Sequence, residues 1–274
     1  MNTHSTALQA VDTDLSRRRR PSLLRIVALE SLYELLKTVR MPAYLLPTLL
    51  FPAMFYLLFG ISFGKGQSYG EIGVATYLLS TYGAFGVIGC ALFGFGIASA
   101  IERGQGWLLL KQASPMPIQA MFAGKLAVSL LMSAVVVEIL AVLGLVVGDV
   151  PWQPGTLAAL FGILLAGSVA FNAFGLVIGL GAGPNSAPAI ANIIYLPMAF
   201  ASGLWIPMHF LPDFLHRVAP TLPAYHLAQL ALKPVGGDVG TAWWIHAAYL
   251  VVFTSVCFAL AVWFWKRDEG RTFG

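Results

Sequence analysis

From residue 150 to residue 212 the chain contains no Asp, Glu, Lys or Arg. Soluble domains carry about 25% charged residues, so a stretch this long without charge has lipid, not water, as its solvent. The rest of the chain agrees: its 274 residues are 58% hydrophobic and 10% charged, with a mean hydropathy of +0.78. The number of membrane spans therefore replaces the number of hydrophobic cores as the organising count.

Six apolar runs qualify. Residues 41–63 are uncharged and carry Pro42, Pro47 and Pro52 at five-residue spacing, each removing a backbone donor and favouring a bend. Residues 72–101 form a second uncharged run, long enough to cross tilted or to project beyond the bilayer. The third, 126–148, is interrupted by Glu138 alone. Within the charge-free stretch, the break GAGPNSAP at 181–188 separates a fourth span, 156–180, from a fifth, 189–207. The sixth, 243–265, has tryptophans at both ends, where an aromatic belt sits. Before them, residues 1–21 read as a disordered basic tail and 22–40 as an amphipathic connecting segment. At helical spacing Glu30, Glu34 and Lys37 share one face of it, opposite Leu24, Ala28, Leu32 and Leu35. Arg25 and the acidic residues exclude an export signal. Six spans make 41–266 one transmembrane domain followed by a short tail, 267–274.

Charge placement orients the spans. The net charge is +4 and the isoelectric point near 9.1, which in a soluble protein would suggest nucleic acid. Here the cations are an address instead. The N-terminal segment holds Arg17, Arg18, Arg19, Arg20, Arg25, Lys37 and Arg40. The loop after span 2 holds Arg103, Lys111 and Lys125, and the tail Lys266, Arg267 and Arg271. Only Lys65, Arg217 and Lys233 fall on the opposite side, so both termini are expected in the cytoplasm of a cell with an inner membrane. Nucleic acid is not an expected partner; membrane lipid is.

Chemistry-bearing patterns are scarce. Gly64-Lys65 and Gly124-Lys125 lack the Ser or Thr and the earlier Gly of a phosphate-binding loop. No HExxH, no Cys-x-x-Cys and no Asp-rich cluster occurs, so neither a metal nor a catalytic residue is expected, and no cofactor in this chain. Cys90 and Cys257 lie in apolar runs and read as small buried residues. Glu138 has two readings: a protonated carboxyl bonded between helices, or a residue lining a substrate path. His246 reads as interfacial. Gly175, Gly179 and Gly183 at four-residue spacing form a face for close helix packing, within one chain or between two.

The loop after span 2 is the most informative. Glu102, Arg103 and Gly104 precede an apolar patch of Trp107, Leu108, Leu109 and Leu110, and Ser114, Pro115, Met116 and Pro117 stop the chain before span 3 restarts. It is either a connector lying on the membrane or a short helix that inserts into a groove on a soluble partner. A second segment, holding Trp205, Pro207, Pro212, Pro220 and Pro223, is too rich in proline for a span and too apolar for a free loop, which suggests a re-entrant external cap that gates an exit or plugs it.

The succession Glu102-Arg103-Gly104, Gly106-Trp107-Leu108, Ser114-Pro115-Met116-Pro117 and Gly124-Lys125 resembles the loop after the second span of ABC-2 type permeases, membrane subunits of bacterial ATP-driven exporters. The segments 202–207, 210–212 and 219–226 are similar to the part such permeases fold into short external helices. The resemblance implies an all-α membrane protein of six transmembrane helices, with an N-terminal interfacial helix, a cytoplasmic coupling helix and an external re-entrant segment before the last span. It further implies a cytosolic ABC ATPase partner that binds the ATP and magnesium, a second permease copy, and motion transmitted through 102–117. On that reading the chain is no enzyme but a path, between spans 1, 2 and 5, for efflux of an amphiphilic drug, antibiotic or lipid-like substrate. An ion-coupled transporter, an exporter of lipid-linked saccharides and a membrane-embedded transferase are the alternatives.

Overall fold

The computed structural model describes residues 22–69, 71–113, 116–151 and 153–272; the expected basic tail lies outside them. Five helices are long and apolar enough to cross a membrane: α2 (Pro42–Ser62), α3 (Val74–Gly104), α5 (Ile118–Val146), α6 (Pro154–Gly181) and the first part of α10 (Trp243–Thr272). Ahead of them runs α1 (Leu23–Val39), capped by the Ser22 hydroxyl, which accepts from the Arg25 amide. A six-residue α4 (Trp107–Gln112) follows α3. A two-residue hairpin, β1 (Ser68–Tyr69) against β2 (Ile72–Gly73), occupies positions where the second apolar run begins, so that helix starts at Val74. The end of the bundle that carries α4 is called the charged end below, and the other the hairpin end.

α3 is the axis of the bundle. Its apolar window is 78% buried, against 28% for α2 and 17% for α10, which therefore form the lipid-facing flanks. Two stretches leave α-helical geometry for the wider π form, Tyr56–Ser62 in α2 and Cys90–Ile97 in α3. In α2 the π stretch begins four residues after Pro52, which supplies no N–H to the ladder. In α3 it brings backbone against backbone. A Cβ on Gly96 would lie 2.4 Å from the Gly175 carbonyl oxygen, and one on Gly179 would lie 2.4 Å from that of Gly96. The four-residue glycine spacing thus serves packing within the chain, where small residues permit close helix approach.

The fifth expected span is shorter than its sequence suggests. α7 (Ala187–Ala201) has 15 residues, about 22 Å at 1.5 Å per residue, against a hydrocarbon core of about 30 Å. Its flanks nevertheless reach both ends of α3: Gly104 abuts Pro184, and the His209 ring stacks on Tyr69 at 3.9 Å. The irregular residues 202–207 follow it, and their backbone turns at Gly203, where φ is +73°. Beyond them α8 (Asp213–Val218) and α9 (Pro223–Leu232) complete the hairpin end. α8 seals a small cluster of Met208, Leu211, Leu215, Ala219 and Tyr225 and leaves Phe210 and Phe214 exposed. α9 is buried along nearly its whole length.

α1 is turned inside out relative to a helix lying on water. Its charged face, with Glu34 and Thr38, is buried, whereas Leu24, Leu32, Leu36 and Val39 are exposed to what would be lipid. The expected division into two faces holds; the charged one looks inward.

The Gly96 contact makes a prediction. Gly96→Ala forces backbone apart and should destabilise the detergent-solubilised protein by about 1 to 3 kcal/mol. Gly162→Ala, at a helical site with nothing within 4 Å, should be neutral or stabilising by up to about 1 kcal/mol. Thermal unfolding of the two variants compares them directly.

Candidate functional site

Four elements meet at the charged end through buried ions. The Lys125 ammonium, on the first turns of α5 and 2% exposed, donates to Glu34 of α1 at 2.7 Å and to Glu102 at the end of α3 at 2.8 Å. Lys37 bridges the same two carboxylates, at 2.9 Å from Glu34. One turn away Lys111 of α4 pairs with Glu30 of α1. Within each group the charges balance, the condition under which ions tolerate burial. Burial by itself raises the Glu34 pKa, but the neighbouring Lys125 and Lys37 outweigh it and hold the carboxyl below its usual 4.5. Burial likewise lowers that of Lys37, and Glu102 with Glu34 overcomes it to hold the ammonium above 10.5.

Arg103 turns the other way. Its guanidinium donates to the carbonyls of Leu180 and, at 2.6 Å, Ala182, at the C-terminus of α6. There it satisfies orphan carbonyls and complements the negative end of the helix dipole. Gly104 is the close-approach point, since a Cβ there would meet the Pro184 ring at 2.4 Å. Glu102, Arg103 and Gly104 are therefore interior joints of the bundle. What the chain presents outward is α4, whose Trp107 is 57% and Leu110 72% exposed. Leu108 and Leu109 lie in the same helix, Ser114 and Pro115 lie outside the described residues, and Pro117 provides the extended residue from which α5 starts.

The second feature is a cavity of about 290 Å³ between α2, α3 and α7, lined by Pro47, Phe51, Pro52, Phe85, Phe93 and Tyr195 among others. Most of its polar groups are spent on backbone: Thr48 donates to Tyr44, Tyr195 to Phe85 at 2.7 Å, and the Asn192 amide to Pro188, whereas the Tyr44 hydroxyl is buried without a partner. What remains is an aromatic wall. Phe85 stacks on Tyr195 at 4.9 Å, and Pro52 fits against Gly86.

The expected external gate closes the hairpin end of this wall. Trp205 stacks on Phe55 at 6.0 Å and meets Phe85 edge-on at 5.6 Å, while its carbonyl accepts from the Tyr82 hydroxyl at 3.2 Å. Pro207 and Pro223 are buried hinges on either side of the cap, and Pro212 and Pro220 lie exposed. The Pro220 carbonyl faces Nε2 of His226 at 3.0 Å, and His226 faces His246 at 2.9 Å between the two Nδ1 atoms, so one ring donates and the other accepts. Burial lowers the pKa of His226, partly offset by the Pro220 carbonyl. Among the described residues no three metal-ligating side chains gather.

Glu138 lies elsewhere. It is exposed on the outer face of α5 with Leu131, Val142 and Leu145, away from the residues that line the aromatic cavity. The sequence reading also missed Glu34, Lys37 and Lys125 as a unit. Their signals were present: three charges on one helical face, and a lysine set directly before an uncharged run.

The fold defines a multi-pass helical membrane protein. The chain belongs to the ABC-2 type transporter family, whose match covers residues 31–235. It is also 24% identical over 248 residues to a Bacillus subtilis (strain 168) protein that bears the name of a transport permease, YvfS, covering 90% of this chain and 99% of the relative. Membership in this family implies association with an ABC ATPase subunit.

Removing one ion from the belt strands the others. Lys125→Met leaves Glu34 and Glu102 to share Lys37 alone, one negative charge in excess, and should cost about 3 to 5 kcal/mol, as for other broken buried pairs. The stability that Glu34 adds is fully present above its unfolded pKa of 4.5 and should disappear as pH falls through its lower folded value. Unfolding midpoints of wild type and Glu34→Gln between pH 3 and 7 should therefore converge at the acid end.

Proposed function

We propose that this permease is the membrane half of an ATP-driven exporter that moves an amphiphilic or hydrophobic substrate, drug, antibiotic or lipid-like, across a bacterial cytoplasmic membrane. The observation that carries the reading is the continuity between tip and cavity: the exposed Trp107 and Leu110 sit on α4, Lys111 ties α4 to α1, and the ion belt ties α1 to α3 and α5. α3 also lines the aromatic cavity. A partner ATPase gripping α4 would thereby act on the cavity wall through buried ion pairs rather than through a flexible loop.

In this reading Trp107, Leu108 and Leu109 are anchors, Glu102, Arg103 and Gly104 transmit, and Trp205 with Pro207, Pro212, Pro220 and Pro223 forms the external gate. The charged end faces the cytoplasm, both termini included, and six crossings result, the fifth made by α7 and its irregular extension. The cavity is half-open, and exposed Leu50, Met54, Ile193 and Phe200 flank it on α2 and α7, so a second copy closes the path. An aromatic wall with the Tyr44 hydroxyl as its buried, unbonded polar group suits an apolar or aromatic solute better than a sugar.

The test is purification of the tagged permease from its own membranes. An ATP-binding protein should accompany it in equal amount and be lost from the Trp107→Ser/Leu110→Ser variant, which leaves every buried ion pair in place. Trp205→Ala should keep the ATPase bound and slow substrate efflux. A permease that purifies alone, or efflux that collapses under an uncoupler at constant ATP, would overturn the reading in favour of ion-coupled transport.

A further inference from the structure

A second, larger cavity of about 850 Å³ lies on the far side of α3, between α5, α6 and α10. Its walls are Phe95, Phe122, Leu176, Phe258 and Val262, and along α6 it extends from Val169 to Leu180, along α10 from Thr254 to Lys266. At 1.5 Å per residue these runs measure about 16 to 18 Å, close to half of the roughly 30 Å hydrocarbon core. The groove is therefore one leaflet deep. The side-chain donors along it are bonded to their own helices, Thr254 to Leu250, Ser255 to Val251 and the Asn172 amide to Ser168, and the Asn172 side-chain oxygen is a buried acceptor without a partner.

The two ends differ. The deep end is apolar in effect, whereas the mouth carries Gln119 and the exposed Lys266, with Trp265 beside it. The next residue, Arg267, lies 5.5 Å from the centroid of the Trp263 ring. Tryptophan and a pair of cations at one depth mark the headgroup level of a membrane with anionic lipid.

We propose that this groove is a binding site for an anionic phospholipid of the leaflet at the charged end, with one acyl chain along Leu176 and Phe258 and the phosphate at Lys266 and Arg267. The lipid would brace α10 against α6 where Phe264 reaches over Gly181 and where Arg103 grips the end of α6. The site depends on the transport reading only for which leaflet is cytoplasmic. Reconstitution in symmetric nanodiscs tests it whatever the orientation.

The probes are phosphatidylglycerol and phosphatidylcholine with a photoactivatable diazirine on the acyl chain, and the labelled residues are mapped by peptide mass spectrometry. Label from phosphatidylglycerol should concentrate on Phe122, Leu176 and Phe258 over the exposed Phe51 and Leu57 of α2. It should exceed phosphatidylcholine label there by about five-fold, the factor that one cation near an anionic headgroup gives. Lys266→Gln combined with Arg267→Gln should abolish that preference and Lys266→Arg retain it, while Val262→Trp, from the exposed rim, should displace the chain without changing label on α2. Label spread evenly over all exposed faces, label indifferent to the headgroup, or cross-links from a second copy into the groove would each overturn the proposal.

Discussion

Lys125 sits almost wholly buried at the start of α5 with a carboxylate on each side. An unpaired ammonium there would cost several kcal/mol or give up its proton. Glu34 and Glu102 are therefore obligatory, and they belong to two other helices. Glu34 can reach Lys125 only if α1 lays its charged face against α5, and that single requirement turns the apolar face of α1 outward. The orientation of the N-terminal helix, the join between α3 and α5, and the position of α4 through Lys111 and Glu30 all follow from ions that cannot be left alone.

The belt has mechanical consequences because an ion pair in low dielectric is short-ranged in geometry and long-ranged in cost. Sliding α1 along its neighbours by one helical turn would separate Lys125 from Glu34 and Lys37 from Glu102 at once. Small displacements keep the pairs and carry the helices along; large ones are resisted. In the proposed cycle this favours rigid tilting of α1, α4, α5 and the charged end of α3 as one body. The compliant parts lie elsewhere, in α2 and α3, whose π stretches flank the aromatic cavity and where the ladder is already loosened by Pro52 and by glycines.

The division between what could be read from the chain and what could not follows the same physics. Span positions were legible because absence of charge over twenty or more residues has few alternative explanations, and the cap was legible because prolines at 207, 212, 220 and 223 forbid a span. The family likeness was legible in the loop 102–117. The inward face of α1 was not. Periodicity shows that Glu30, Glu34 and Lys37 share a side, but whether that side meets water or a buried Lys125 depends on a residue about ninety positions away, and single-sequence patterns hold no such pairing. The roles of Glu102 and Arg103 were obscured for the same reason. Charges in a cytoplasmic loop suggest a solvated surface, and only the fold shows them turned back into the bundle. α7 was overestimated in length because the apolar run continues through 202–207 after the helix has stopped.

Glu138 closes the comparison. A lone carboxylate in a span suggests a path, yet the aromatic cavity is built without ions and Glu138 faces outward from α5. The carboxylates of the belt are instead each paired with two lysines, Lys37 and Lys125, across α1, α3 and α5, and so hold helices together. In the proposed cycle the cavity, where the Tyr44 hydroxyl is buried without a partner and the Tyr195 and Thr48 hydroxyls are committed to backbone, recognises solutes mainly by shape and apolar area. Such recognition discriminates weakly, since one methylene in an apolar pocket changes binding by only about 1 to 3 kcal/mol. In the proposed cycle a path of this construction takes its direction from gates, the ion belt at one end and Trp205 at the other.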